Sequence, residues 1–381
     1  MKFLHLSDLH IGKSVNGFSM LQEQQYVFEQ IIKYIDIEKV NAVLISGDVY
    51  DRTVPSIEAV QMFDDFLTNL ATKKVAVLLI SGNHDSPQRL NFASRLLSER
   101  KLHICGIFDG ILHSVTLTDE YGDLKFWLLP FIKPSVVRGM FSNNVIETYT
   151  DAVCSILESA DIDYSKRNVL LSHQFYVSAS IIPIRSESEI NPIGGLDAVD
   201  AGLLSKFDYV ALGHLHSSQS VGENIHYCGS PIKYSFSEWR QKKSVKLVEM
   251  KEKGNIILKA LPIIPVHDMR EIKGPLEQLL NEKIFSQGNK EDYLRVILTD
   301  EEEIIAPMEK IRSVYPNVMS LDFENSRTNI DYASALTCSD QLETLSPYEL
   351  FSEFYLKMND AALSGEQQKI VRELLEVEEV E

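Results

Sequence analysis

Through its first two-thirds the chain alternates unbroken apolar runs with stretches of helical periodicity. Residues 2–10 (KFLHLSDLH), 40–48 (VNAVLISGD) and 74–85 (KVAVLLISGNHD) each show the short apolar run and polar exit of a buried strand. Between them, residues 20–38 and 56–72 place apolar side chains at helical spacing. Residues 167–174 (RNVLLSHQ) and 207–216 (FDYVALGHLH) read as two further strands. Continuous apolar strands separated by helices predict an α/β fold whose sheet is covered by helices or by a second sheet. There is no internal repeat and no low-complexity tract.

The polar residues fall at the ends of these runs. His214 and His216 close one, two residues apart, and Asp8 and His10 close another with the same spacing. In an extended chain alternate side chains share a face, so each pair is expected to converge on one spot. Asp48, then Asn83 with His84, then His173 close the other three. Ligands of open α/β sheets bind beyond the carboxyl ends of the strands, so five such ends can surround one crevice.

Composition narrows the chemistry. The formal net charge of -18 excludes a generally basic nucleic-acid binder, so a phosphate substrate must meet a local positive centre. Bound divalent metals supply one. No run approaches the ~18 apolar residues of a spanning helix, and the opening MKFLHLSDLHIG lacks the apolar core of a signal peptide, which predicts a cytoplasmic protein without membrane attachment. The four cysteines are scattered and form no CxxC pair, so no thiolate site or disulfide framework is expected.

Asp8, His10, Asp48, Asn83, His173, His214 and His216 make seven N/O donors. That is too many for one tetrahedral zinc and suits two ions such as manganese or iron, with one carboxylate shared. Asp48 is the candidate bridge, because Gly47 before it lets backbone and metal approach closely. Two ions ~3.5–4 Å apart can hold a phosphoryl group and lower the pKa of a bound water towards ~7.

In order along the chain, DLH, GDVYD, GNHD, SHQ and GHLH resemble the signature of the calcineurin-like metallophosphoesterases. GNHDSPQRL, YVALGHLH and YCGSPIKYSFSE are similar to the nuclease subunits of bacterial SbcCD complexes, relatives of the eukaryotic double-strand-break repair nuclease. The likeness covers residues 1–250 strongly and the remainder more loosely. It implies a β-sandwich flanked by helices, with one metal on Asp8, His10, Asp48 and His216 and a second on Asp48, Asn83, His173 and His214. Two Mn2+ per chain are the implied cofactors. His84 would contact the scissile phosphate, with Asp85 holding its tautomer and favouring its charged form. Where archaeal and eukaryotic relatives have a histidine three residues after the bridging aspartate, this chain has Asp51, so no histidine role is carried there.

Other residues have plainer readings. His5 lies at odd parity in the first strand and is expected to pack under a helix, while His103, His113, His226 and His267 lie outside any donor-bearing strand end. Arg52, Arg89 and Lys233 lie in or near the motifs and are candidates for DNA phosphate contacts, an ordinary surface ion pair being the alternative for each.

Past residue 260 the character changes. Residues 261–275, with three prolines, read as a linker, followed by a helix (276–285), a strand (292–300), a helix (302–316) and a strand (317–323). The expected organisation is a metallophosphoesterase domain over 1–260, a small α/β domain over 266–335 that is either a structural cap or a substrate-positioning element, the resemblance implying a cap that helps position DNA, and a helical segment over 340–381. In that segment Ser346, Pro347 and Glu349 make a helix start, and Leu350, Phe351, Phe354, Tyr355 and Met358 form an apolar stripe. A second start at Ser364 leads to Ile370, Val371, Leu374 and Leu375 on one face, behind a polar linker around 325–345. The resemblance implies that these helices dock on the coiled-coil base of an SbcC-like ATPase, with a homodimer of this nuclease inside a heterotetramer. The implied activity is exonuclease on DNA ends and endonuclease on single-stranded or hairpin DNA, in DNA repair, recombination and replication. The alternatives are a metal-dependent phosphatase or phosphodiesterase on a non-DNA substrate, and a non-catalytic scaffold, the weaker because every ligand position is filled.

Overall fold

The computed structural model describes every residue except 142–144, 179–180, 182, 190–196, 287, 327, 329–345, 360–361 and 378–381. The polar linker read over 325–345 falls mostly outside the described residues. Two compact units divide the chain, Met1–Asp268 and Met269–Glu381.

In chain order the first unit contains β1 (Lys2–Leu6), α1 (Leu21–Glu38), β2 (Ala42–Ser46), α2 (Ile57–Thr72), β3 (Ala76–Ile80), β4 (Leu102–Cys105), β5 (His113–Asp119), β6 (Gly122–Leu129) and α3 (Tyr149–Ser159). It continues with β7 (Arg167–Ser172), β8 (Tyr209–Leu212), β9 (Gln219–Ser220), β10 (Ile225–Tyr227), β11 (Ser244–Met250) and β12 (Ile256–Pro262). One six-stranded sheet has the order β12-β11-β1-β2-β3-β4 and the other β9-β10-β8-β7-β6-β5. β1 to β4 run parallel, as do β6, β7, β8 and β10, so the strand ends that carry polar residues gather at one edge of each sheet.

The two sheets stack face to face. Phe3, Leu44 and Leu78 from the first pack against Phe126, Leu171 and Tyr209 from the second, with the Phe3 ring edge-on to Phe126 at 5.5 Å. The covering layer on that face is therefore a sheet, and His5, expected under a helix, lies between the sheets instead. Its ring bonds the Tyr209 hydroxyl (3.0 Å) and the Leu212 carbonyl (3.1 Å). The helices α1 and α2 bury Val27, Phe28, Ile31, Phe63 and Phe66 and stack on each other through Phe28 and Phe66. Ser56 caps α2 by accepting from the Ala59 amide. On the outer face of the second sheet Ala152, Val153 and Ile156 of α3 join Trp127, Leu170 and Val210.

The hairpin β5–β6 was not legible in the apolar runs, because one of its strands lies at a sheet edge and is largely exposed. Its period-two pattern SVTLTD and the glycine at positive φ in its turn are the signals present. Asp119 at the end of β5 accepts from the Arg167 guanidinium (2.6 and 3.2 Å) and from the Met1 amine (2.6 Å), tying the hairpin to β7 and β1.

The second unit has a three-stranded parallel sheet, β13 (Met269–Gly274), β14 (Tyr293–Leu298) and β15 (Val318–Phe323). The segment read as a linker over 261–275 thus ends one strand, β12, and contains a whole one, β13; its prolines sit at or just beyond the ends of the two. The helix expected over 276–285 is two short turns, α4 (Leu276–Leu279) and α5 (Glu282–Phe285), separated where Asn281 caps the second. The helix expected over 302–316 shrinks to α6 (Pro307–Arg312), because a residue before proline resists helical geometry and Ala306 sits at φ 49°. Two final helices, α7 (Pro347–Asn359) and α8 (Gly365–Val377), start on the capping pairs Ser346–Glu349 and Ser364–Gln367.

Candidate metal centre

All seven donors leave the C-terminal ends of strands: Asp8 and His10 follow β1, Asp48 follows β2, Asn83 follows β3, His173 follows β7, and His214 and His216 follow β8. They do not reach the crevice by strand alternation. Asp8 (φ 53°), His10 (41°), Asp48 (50°) and His214 (96°) all sit at positive φ, in turns that begin where the strands stop. Non-glycine residues rarely adopt this region, and such strain collects at functional sites. The two histidines of GHLH also separate instead of converging. His216 Nε2 faces His10 Nε2 at 3.1 Å, whereas His214 Nδ1 faces Asn83 Oδ1 at 3.1 Å.

Two groups of donor atoms result, joined through Asp48, which lies with His10 and His84 and also with Asp8 and His173. In one group, Asp8, His10 and His216 lie together. In the other, His173 Nε2 stands 3.1 Å from Asn83 Oδ1 and 3.3 Å from Asp48 Oδ2. Asp48 Oδ2 is also 3.7 Å from His10 Nε2, so its carboxylate lies between the groups. Donors ~2.1 Å from one ion and at right angles stand ~3.0 Å apart, which the spacings of 3.1 and 3.3 Å match. Imidazoles, carboxylates and an amide oxygen facing one another this closely, all buried except the half-buried Asn83 and His214, fit a divalent pair.

The surroundings hold these atoms in place. A Cβ on Gly47 would strike the His173 ring, and one on Gly213 would strike both that ring and the Ser46 carbonyl. The same carbonyl accepts from His173 Nδ1 (2.6 Å). Gln24 donates to the carbonyls of Leu9 and His10, bracing the first loop. Burial works against charge on His173, but the adjacent Asp48 carboxylate outweighs it and lifts this imidazole to about 9. The Asp48 carboxyl is held well below the usual range, its burial being outweighed by His173 and His10. Burial and the His173 charge push His214 down to about 3.

His84 donates its amide to Asp48 Oδ1 (2.8 Å), and its Nδ1 faces the Asp51 carbonyl at 3.0 Å. A carbonyl only accepts, so Nδ1 carries the proton and Nε2 is left to exchange one. Asp85 does not hold this ring. Its carboxylate accepts the backbone amides of Val49 (3.2 Å), Tyr50 (3.0 Å) and Gly82 (2.9 Å), binding the Asp48 loop to the Asn83 loop, and burial beside Asp48 raises it to about 6. The reason is position: two adjacent side chains leave a turn in different directions, and backbone amides were nearer. Asp51 pairs with Lys13 (2.7 Å) and lies 3.7 Å from His10 Nδ1.

Of the basic candidates, Arg52 is 81% exposed and Arg89 is exposed on the short turn after the Asn83 loop. Lys233 is not on the surface. It is buried, donating to the Trp239 carbonyl and to Asp268, because its loop folds inward at Tyr234. Sequence reasoning missed Ser188, Glu189, Glu238 and Lys243, which support His216. Only Glu238 had a signal, as the last residue of YCGSPIKYSFSE.

Residues 1–218 match the family model for calcineurin-like phosphoesterases. Over 98% of both chains the sequence is 32% identical to the SbcD component of nuclease SbcCD from Staphylococcus epidermidis, and 30% identical to that from Staphylococcus saprophyticus. It belongs to the SbcD branch of the calcineurin-like phosphoesterases. As a member of that family it is a metal-dependent phosphoesterase. The SbcD-branch likeness extends into the second unit, where residues 265–359 match the model described as the type 5 capsule protein repressor C-terminal domain. A solved dimetal phosphatase from Danio rerio is 12% identical, covering 69% of this chain and 96% of its own, with a TM-score of 0.41. No helix among the described residues is long and apolar enough to cross a membrane.

Proposed function

We propose that this chain is the nuclease component of an SbcCD-type complex, cleaving phosphodiester bonds of DNA ends and of single-stranded or hairpin DNA with two Mn2+ ions. The observation that carries this reading is the Asp48 carboxylate standing between two donor groups, one of Asp8, His10 and His216 and one of Asn83, His173 and His214. When bound, a divalent pair supplies charge neutralisation at the phosphate and a lower pKa for the attacking water. The chain's own residues do the rest. Asp48 would be shared by both ions, Asn83 and the histidines would hold one ion each, and His84 Nε2 would pass a proton to the leaving oxygen. Asp85 positions, by holding the Asp48 and Asn83 loops together. Arg52 and Arg89 remain candidates for flanking phosphates.

The second unit caps the DNA in this reading, and α7 and α8 dock on the coiled coil of an SbcC-like ATPase. Support comes from the exposed apolar stripe: Phe354 is 59% and Leu374 65% exposed, with Leu350, Phe351 and Ile370 beside them in solvent, while Tyr355, Val371 and Leu375 are half-buried. The side chain of Met358 lies outside the described residues. Asp48→Ala tests the centre. It should leave the circular dichroism unchanged, remove both manganese ions by mass spectrometry, and abolish cleavage of a single-stranded oligonucleotide. Two ions retained per chain would overturn the bridge. Faster turnover of p-nitrophenyl phosphate than of any DNA by the wild type would instead favour the phosphatase reading.

A further inference from the structure

Behind His216, outside the donor groups, lies a buried charged network that the mechanism does not use. His216 Nδ1 is 2.8 Å from Ser188 Oγ and 3.3 Å from Glu238 Oε1, and Ser188 Oγ donates to that same oxygen at 2.8 Å. Glu238 is fully buried, and its other oxygen takes Lys243 Nζ at 2.6 Å. Lys243, also buried, donates further to the His216 carbonyl (2.8 Å) and to Ser230 Oγ (2.9 Å), while Glu189 Oε1 accepts the His216 amide (2.7 Å).

Proton bookkeeping allows one arrangement. Glu238 pairs with the Lys243 ammonium at 2.6 Å, as a carboxylate does, and a carboxylate only accepts. The Ser188 hydroxyl has one proton and gives it to Glu238. Ser188 Oγ must then accept from His216, which places the ring proton on Nδ1 and the lone pair on Nε2. That lone pair points at the space shared with His10 Nε2, 3.1 Å away. His173 Nδ1 faces a backbone carbonyl instead, so the two groups differ in the charge behind them.

We propose that Glu238, anchored by Lys243 and relayed through Ser188, is a positioning residue that fixes the His216 tautomer and so tightens the metal position formed by Asp8, His10, Asp48 and His216. This rests on the two-metal reading above. Two outer oxygens are needed, one for Lys243 and one for Ser188 and His216. Glu238→Gln has only one acceptor, which the buried Lys243 ammonium claims, turning the amide NH2 towards Ser188 and His216. His216 then moves its proton to Nε2, where it blocks the metal.

Manganese titration of the metal-free protein by calorimetry, with His216 tautomers read by 15N NMR, tests this. Wild type should show the Nδ1–H tautomer and bind two ions. Glu238→Gln should shift His216 towards Nε2–H and weaken one ion 10–100-fold while leaving the other within threefold. Adding Lys243→Met frees the amide oxygen to face His216, so the double variant should regain the Nδ1–H tautomer and bind manganese more tightly than the single one. Unchanged affinities in Glu238→Gln, equal loss of both ions, or a double variant weaker than the single one would each overturn the proposal. Should Glu238→Gln fail to fold, Ser188→Ala, which removes only a half-buried hydroxyl, carries the test: it should loosen the tautomer and weaken one ion several-fold, and no change in either would be decisive against. A wild type that binds no manganese would refute the two-metal reading, whereas the tautomer measurement still judges Glu238.

Discussion

At the scale of single residues, the site separates side chains that face the shared space from those that hold them there. His84 belongs to the first kind: its amide rests on Asp48 and its Nδ1 on the Asp51 carbonyl, which leaves Nε2 as its exchangeable position. His84→Asn should therefore retain both metals and DNA binding while slowing cleavage by roughly two to four powers of ten, the usual worth of a positioned acid. Single-turnover kinetics and metal content on one preparation check it, and loss of metal would make His84 a ligand. Asp85 belongs to the second kind. The sequence places it beside His84, yet three backbone amides claim its carboxylate. Adjacency along a chain says nothing about where the nearest unpaired amides will be.

Elements were legible in proportion to how they are buried. The strands β2 and β3 are buried along their whole length and appear as apolar runs, and α1 and α2 start within one residue of the periodic segments 20–38 and 56–72. The edge hairpin β5–β6 escaped notice, although its link to the core is strong. Asp119 joins it to Arg167 and to the Met1 amine, and these bonds outweigh its desolvation and hold its pKa below the ordinary value. A carboxylate with a depressed folded-state pKa stabilises fully above its unfolded value of ~3.9 and loses that contribution as pH falls through the folded value. Asp119→Asn should thus cost about 2 kcal/mol at pH 7, a Tm lower by about 4–8 °C. The gap to wild type should narrow between pH 4 and pH 2, as thermal melts across that range will show.

For the whole molecule, the net charge and the exposed faces of α7 and α8 are what other molecules meet. With a net charge of -18 the chain repels a polyanion at long range, so under the proposed function the approach to DNA depends on the metal centre and on the ATPase partner. The helices α7 and α8 present large apolar side chains to solvent, each worth on the order of 1.5–3 kcal/mol when fully buried, before ordering costs. Changing Phe351 and Phe354 to serine should abolish co-purification with the SbcC-like ATPase while leaving manganese content and cleavage of short single-stranded DNA near wild type. Loss of basal cleavage in that variant would place the helices in the nuclease core instead.

The sequence alone determined which side chains stand at strand ends, because burial demands apolar runs and lets polar residues appear only where a strand stops. It also determined the α/β class and the capped starts of the last two helices, which are local matters of spacing and hydrogen bonding. It could not determine how the strand-end residues point. Asp8, His10, Asp48 and His214 turn through positive φ, and only packing around them sustains that strain. Nor could it place His5 between two sheets, bury Lys233, or bring Glu238 and Lys243 behind His216. Those outcomes depend on which distant segment arrives beside a residue, and that is decided when the second sheet closes over the first.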